Sequence, residues 1–291
     1  MAIRPAYLAM LRLSLVAATV AWFTYYLSNH GELLRQLVST PPRVILILLV
    51  IYWVWFAALA LTIHATLHFC RSTLPVGEHL LLSAYSTLVN FFVPGQGGLA
   101  IRGLYLKRRH GLTMRTYVYA SLVYYACYAV VCVVLLLSSS TPWWQTLGAS
   151  AVVALLSLLT LRSFFRRAGL PASPFRSTVA KATCLMTATV LQAAVQALVY
   201  GYELRTIDPG VRWSQVISYT GAANFSLFVA VTPGAIGIRE SFLVFSERLH
   251  HISTATIVAA SLIDRSVFML LLASLASLAF VFHAQRIFRS R

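Results

Sequence analysis

Pro233-Gly234-Ala235-Ile236-Gly237-Ile238-Arg239-Glu240 interrupts an apolar run with a Pro-Gly break and resumes with an arginine. An earlier stretch, Pro94-Gly95-Gln96-Gly97-Gly98-Leu99-Ala100-Ile101-Arg102, does the same. Proline removes a backbone donor and glycine turns freely, so each break stops a helix. Water solvates such a stop. A bilayer accepts it only where the freed backbone lines a cavity or is buried in protein. Two such breaks in one chain point to a membrane protein built round a polar site at mid-depth.

The composition agrees. The 291 residues are 59% apolar and 10% charged, with a mean hydropathy of +0.78; soluble domains are about half apolar and a quarter charged. The apolar runs last about 18 to 30 residues without strict alternation, which indicates helices and not a barrel. The net charge of +16 would suggest nucleic acid in a soluble protein. Here the basic residues sit in short loops between apolar runs, and no basic face, aromatic platform or nucleic-acid motif accompanies them. Cys70, Cys127, Cys132 and Cys184 are irregularly spaced in apolar helices, so they read as packing residues and not as a disulfide frame or metal site.

In chain order, residues 9–28 form a first apolar run. It follows Arg4 and resembles a signal peptide, but its length and the spans after it favour an uncleaved helix. Full spans are expected over 43–69, 113–137, 145–161, 179–204 and 254–283, about six crossings in all. Residues 79–93 and 99–106, and likewise 213–231 and the arm after Gly234, are each short of the ~30 Å hydrocarbon core. Re-entrant helical hairpins fit them better than crossings. Their tips would be Pro94, Gly95, Gly97 and Gly98 in the first, and Pro233, Gly234 and Gly237 in the second.

Charge sets the expected orientation. With both termini cytoplasmic and both broken segments re-entrant, the cytoplasmic side holds fourteen basic residues against Glu78 alone. The outside holds five basic residues against Glu32, Glu203, Asp208 and Glu247. That asymmetry is the one cytoplasmic loops carry. The two halves also echo each other at an offset of about 140: His110-Gly111-Leu112-Thr113 with His250-His251-Ile252-Ser253, and Ala120-Ser121-Leu122 with Ala260-Ser261-Leu262. Residues 1–42 thus precede two repeats, 43–162 and 179–283. An odd number of crossings between them inverts one against the other, an architecture of transporters.

Asn90, Pro94-Gly95, Arg102 and the whole stretch from Pro233 to Glu240 resemble the lysylphosphatidylglycerol synthase transmembrane-region family, a flippase-like membrane domain, over nearly the whole chain. The resemblance implies a multi-pass protein of a bacterial or archaeal inner membrane. Such a protein moves, or helps move, polar phospholipids or lipid-linked sugars between leaflets. The chain ends at Arg291, so the soluble synthase domain of that family, and aminoacyl transfer with it, is expected to be absent. Where the family often has a charge after the first break, this chain has Tyr124-Tyr125.

Arg12, Arg102, Arg239, Glu240, Asp264 and Arg265 fall inside apolar segments, at roughly 2.5–3.5 kcal/mol each near a helix centre. Arg12 is placed to snorkel. Asp264 and Arg265 point about 100° apart, so they need separate partners, and Arg239 and Glu240 are the candidates. Two readings stand: a structural ion pair, or a working site. Arg102 either snorkels past Lys107 or, beside the positive end of a helix that starts at mid-depth, presents a bidentate donor to phosphate. The candidate substrate-binding set is therefore Arg102, Arg239, Glu240, Asp264 and Arg265, with Asn90 and Asn224 from the arms before the breaks. His64 and His68, four apart, lack a third ligand for a metal. No catalytic motif and no cofactor motif is present.

The function expected is a flippase-like transporter whose anionic-headgroup site lies between the hairpins. The alternatives are a membrane-embedded enzyme modifying lipid headgroups, and a non-transporting partner of a glycosyltransferase or lipid synthase. The ligand expected is a membrane lipid with an anionic headgroup or a lipid-linked glycan.

Overall fold

The computed structural model describes residues 39–93, 97–168, 175–228 and 238–289. The first apolar run and the tip residues Pro94, Gly95, Pro233, Gly234 and Gly237 lie outside the described residues. Among those described there are ten helices and no strand: α1 Pro42–Phe69, α2 Val76–Phe92, α3 Gly97–His110, α4 Met114–Leu137, α5 Trp143–Ala168, α6 Phe175–Ile207, α7 Trp213–Ser226, α8 Ile238–Phe245, α9 Glu247–His250 and α10 Thr254–Arg289. The chain is an all-α membrane protein. Five helical segments are long and apolar enough to cross: Pro42–Phe69, Met114–Leu137, Trp143–Ser163, Ala180–Ile207 and Thr254–Phe282. They coincide with the five crossings expected after the first run.

Local chemistry sets the helix ends. Pro42 opens α1, where its missing N–H costs nothing. Gly111, at φ +66°, turns the chain after α3. Thr113 then caps α4 by accepting from the Thr116 N–H at 3.4 Å. Within the helices, hydroxyls return to their own backbone: Thr62 Oγ1 donates to Ala58 O at 3.0 Å, and Thr189 Oγ1 to Leu185 O at 2.7 Å. In apolar surroundings these contacts leave the hydroxyls satisfied without a neighbour.

α1 and α6 form the centre and run antiparallel. Thr62 Oγ1 also reaches Ala188 O at 3.3 Å, while Tyr52 at the other end of the contact sits beside Glu203. α10 closes over α1, α2 and α6, and α4 packs between α5 and α7. Lipid gives helices no hydrophobic reason to associate, so close contact depends on small side chains. Ala84, Ala188, Ala193, Ala222, Ala223 and Ala260 are accordingly buried. At Gly221 a Cβ would lie 2.2 Å from the Leu136 backbone N, so only glycine allows α7 to touch α4 there.

The two broken segments are antiparallel helix pairs. In α2–α3, Gly98 N–H donates to Asn90 Oδ1 at 2.8 Å, and the Tyr105 hydroxyl donates to Glu78 at the far end. In α7–α8, the Phe225 and Phe242 rings stack at 5.8 Å. The pair is finished by α9, where Gln215 Nε2 donates to His251 O at 2.7 Å. With 17, 14, 14 and 8 residues, α2, α3, α7 and α8 are about 25, 21, 21 and 12 Å long. None spans ~30 Å.

Candidate functional site

A cavity of about 270 Å³ lies among α1, α2, α3, α4, α6, α7, α8 and α10. Its wall follows helical spacing: Tyr52, Trp55, Leu59, Thr62 and Thr66 on α1; Tyr117, Ser121, Tyr124 and Tyr128 on α4; Gln192, Gln196 and Tyr200 on α6. Residues three or four apart share a face, so each helix contributes one stripe. The α1 stripe reaches from mid-helix to the α1–α2 turn, and the α4 stripe begins at the same end. The cavity therefore occupies the half of the bundle that carries that turn.

The opposite half is closed. Tyr219, Leu204, Val211, Val216, Leu243, Ile252 and Ile257 are buried in one cluster there. Ser218 Oγ donates to Leu136 O at 2.5 Å, and Ser139 Oγ to Leu249 O at 3.0 Å, tying α4, α7 and α9 together.

Six of the seven residues selected from the sequence line this one cavity: Asn90, Arg102, Asn224, Arg239, Asp264 and Arg265. Glu240 holds Arg265, which donates Nη2 and Nε to Glu240 Oε1 at 2.5 and 3.1 Å. Arg239 donates Nη1 to Asp264 Oδ2 at 2.5 Å, and the Tyr52 hydroxyl donates to the other Asp264 oxygen. The pairing expected from the 100° offset is the one formed. These ions are buried, with side chains 12% exposed for Arg239 and 6% for Asp264. Low polarity strengthens such a pair and penalises loss of either member.

Arg239 has more donors than partners. Its guanidinium carbon stands 5.1 Å from the Tyr200 ring centroid, and its Nε and Nη2 are buried without a hydrogen-bond acceptor. Arg102 likewise has a buried Nε with no acceptor, and no carboxylate pairs with it among the described residues. Asn224 Nδ2 is another such donor. Each unmet donor costs about 1–3 kcal/mol. Four such donor atoms, on three residues around one chamber, mark where an acceptor-rich group would fit.

Of the tip residues, Gly97 and Gly98 are described. At Gly98 a Cβ would lie 2.2 Å from Ser86 O, so this glycine lets α3 start directly against α2. Of the tyrosines on α4, Tyr117, Tyr124, Tyr125 and Tyr128 line the cavity, whereas Tyr119 packs beside Phe69. His64 meets His79 edge to face at 5.6 Å, and His79 Nε2 is 2.9 Å from Ala60 O. Among the described residues no three His, Cys, Asp or Glu side chains cluster as metal ligands.

One expectation is overturned. The charge count places Glu203 among the acids of the outer side. The structure buries it, 1% exposed, in the wall of α6, where it neighbours the Asp264 carboxyl and the Tyr52 hydroxyl. The signal was present as spacing. Gln192, Gln196, Tyr200 and Glu203 fall 4, 4 and 3 apart, a polar stripe along one face of an otherwise apolar helix.

Two titratable groups hold the ends of the pairs, outside the crossing helices. The Tyr105 hydroxyl first, and then His110 at 2.8 Å, hold the Glu78 carboxyl below the usual carboxylate range, outweighing its partial burial. His250 is fully buried; burial pushes its imidazole below the usual histidine value. Its Nε2–H donates to Leu243 O at 2.9 Å while Nδ1 accepts from the Ile252 N–H at 3.2 Å, which suits only the neutral ring.

Fold and cavity together define a multi-pass helical membrane protein with a charged, aromatic-walled chamber inside the bundle. The chain belongs to the lysylphosphatidylglycerol synthase TM region family, which matches residues 9–276. It is thus a relative of the membrane part of a lipid synthase. No curated protein matches the chain.

Proposed function

We propose that the protein carries polar phospholipids or lipid-linked sugars between the leaflets of a bacterial or archaeal inner membrane, engaging the lipid phosphate in the central cavity. The observation that carries the reading is the set of unmet guanidinium donors on Arg102 and Arg239, two residues of the wall of one intramembrane chamber. Guanidinium forks suit phosphate, and a phosphodiester supplies several acceptors at once. The chamber's volume of about 270 Å³ takes a headgroup, leaving acyl chains in the surrounding lipid.

Topology completes the reading. Both termini are cytoplasmic, α2–α3 enters from the cytoplasm and α7–α8 from outside, and the halves are inverted repeats. The cavity then faces inward while the Ser139, Ser218 and Leu249 contacts seal the outer side. Rocking one repeat against the other would exchange the two. On this reading the chain is no enzyme, and a lipid synthase or glycosyltransferase supplies or consumes its lipid.

The test is fluorescent phosphatidylglycerol in reconstituted vesicles. Exchange between leaflets is expected to be faster with protein than without, and to fall to background with Arg102→Ala. Equal rates with and without protein would sink the transport reading. Chemical conversion of the lipid by purified protein would favour the enzymatic one.

A further inference from the structure

Glu203 is a buried carboxyl that the ion pairs leave over. Asp264 has Arg239, and Glu240 has Arg265. Glu203 has no ion-pair partner among the described residues, and its Oε1 is buried without a hydrogen bond. Its other neighbours are the Asp264 carboxyl and the Tyr52 hydroxyl. A second carboxylate beside Asp264, with no cation of its own, is repelled by it, and a proton on Glu203 removes that repulsion.

The remaining groups facing it are few. Arg239 comes from α8, Asp264 from α10, Tyr52 from α1, Tyr219 from α7 and Tyr200 from its own helix. Tyrosines ordinarily ionise near pH 10 and arginine higher still, so of these groups Glu203, a carboxyl without a cation, is the one open to a proton. On the α6 stripe Gln192, Gln196 and Tyr200 line the cavity, and Glu203 is the next residue along, toward the closed half.

Charge now links the proton to the ligand. The chamber and its supports hold Arg102, Arg239 and Arg265 against Glu203, Glu240 and Asp264, three of each sign. With all six ionised the empty site is neutral. A proton on Glu203 leaves one positive charge in excess, and a phosphodiester monoanion cancels it. A buried site favours neutrality, so proton and phosphate enter together.

Resting on the transport reading above, we propose that Glu203 is a proton-binding site of this protein, and that one proton accompanies each phosphodiester headgroup across the membrane. With Glu203 neutral, the phosphate monoanion is the charge that balances the excess cation, and the unmet Nε and Nη2 of Arg239 are the donors placed to receive it. The step moves one proton and one monoanion in the same direction, and no net charge crosses.

The test uses the full chain in detergent with short-chain phosphatidylglycerol. In weakly buffered solution wild type is expected to take up about one proton per lipid bound. Its Kd should rise up to tenfold per pH unit across the titration, the limit for one linked proton. Glu203→Gln, which imitates the protonated form, should bind with a Kd independent of pH and take up no proton. In vesicles, an imposed pH gradient should bias the leaflet distribution with wild type, whereas Glu203→Gln equilibrates lipid without bias. Lipid binding by wild type with no proton uptake, or an unchanged pH slope in Glu203→Gln, overturns the proposal. Absence of lipid movement by wild type overturns the transport reading and the co-transport with it, while the proton count still decides whether Glu203 is the proton site. Should Glu203→Gln not fold, the wild-type proton count decides alone.

Discussion

The two broken pairs share a sequence grammar and differ in what holds them. α2–α3 carries its polar links within itself: Asn90 clamps Gly98 at one end and Glu78 joins Tyr105 and His110 at the other, while apolar packing of Phe91 with Met269 and Leu272 and the His79 contact with Ala60 O seat it on α10 and α1. Its arginine, Arg102, has no carboxylate partner among the described residues. α7–α8 is fastened to other elements, through Arg239 and Glu240 to α10 and through α9 to α4. One pair thus carries a donor that a ligand can claim outright, and the other a donor shared with a protein carboxylate. A pair fastened to a crossing helix moves with it.

The largest effect should come from breaking the fastened pair. Arg239→Ala leaves Asp264 buried without its cation, and about 3–5 kcal/mol of stability should be lost. The midpoint of thermal unfolding in micelles measures it. Asp264→Asn in the same chain should recover much of that loss, and no recovery would show that the two residues are not coupled.

Next in size is the contact of α7 with α4. Gly221→Ala puts a methyl against the Leu136 backbone, where nothing flexible can yield. A loss of about 1–3 kcal/mol is expected. Reagent labelling of a cysteine at Ser218 should rise with it if this contact seals the outer half.

Arg102→Ala sharpens the comparison by its contrast. Stability should not fall, because no ion pair is broken and an unmet buried donor is removed. Affinity for short-chain phosphatidylglycerol should fall roughly 10- to 100-fold, the worth of charged hydrogen bonds of about 1.5–3 kcal/mol. An effect on stability as large as that of Arg239→Ala would erase the distinction between the pairs.

Acid provides the mildest perturbation and orders the two ends. The His250 pKa is lowered on folding, so its contribution is intact above the unfolded value of about 6.5 and lost as pH falls through the folded one. Glu78 is also lowered, from an unfolded value near 4.3, and its contribution is lost only at more acid pH. Amide exchange in α8–α9 should therefore quicken on acidification before exchange in α3 does.

Much of this was legible in the chain. Each crossing was visible because hydropathy adds up locally over about 20 residues, and each Pro-Gly break because it acts on its own backbone. The pairing of Asp264 with Arg239 and of Arg265 with Glu240 followed from helical geometry, since neighbours 100° apart cannot serve one partner. Glu203 was misread because it lies three residues after Tyr200 near the end of an apolar run, where snorkelling to the surface and turning inward look alike. Only the stripe through Gln192, Gln196 and Tyr200 pointed inward.

The sequence by itself determined the class of molecule: an all-helical membrane protein, interrupted twice, with charges it must bury. These are properties of single segments, and a bilayer enforces them segment by segment. Tertiary structure alone decided which half of the bundle holds the cavity, which donors go unmet and that Glu203 joins Asp264. Those depend on how each helix is rotated against its neighbours, as where Tyr52 meets Asp264 across 212 residues of chain. The two breaks look equivalent in sequence; the packing of α10 against only one of their arginines makes them different.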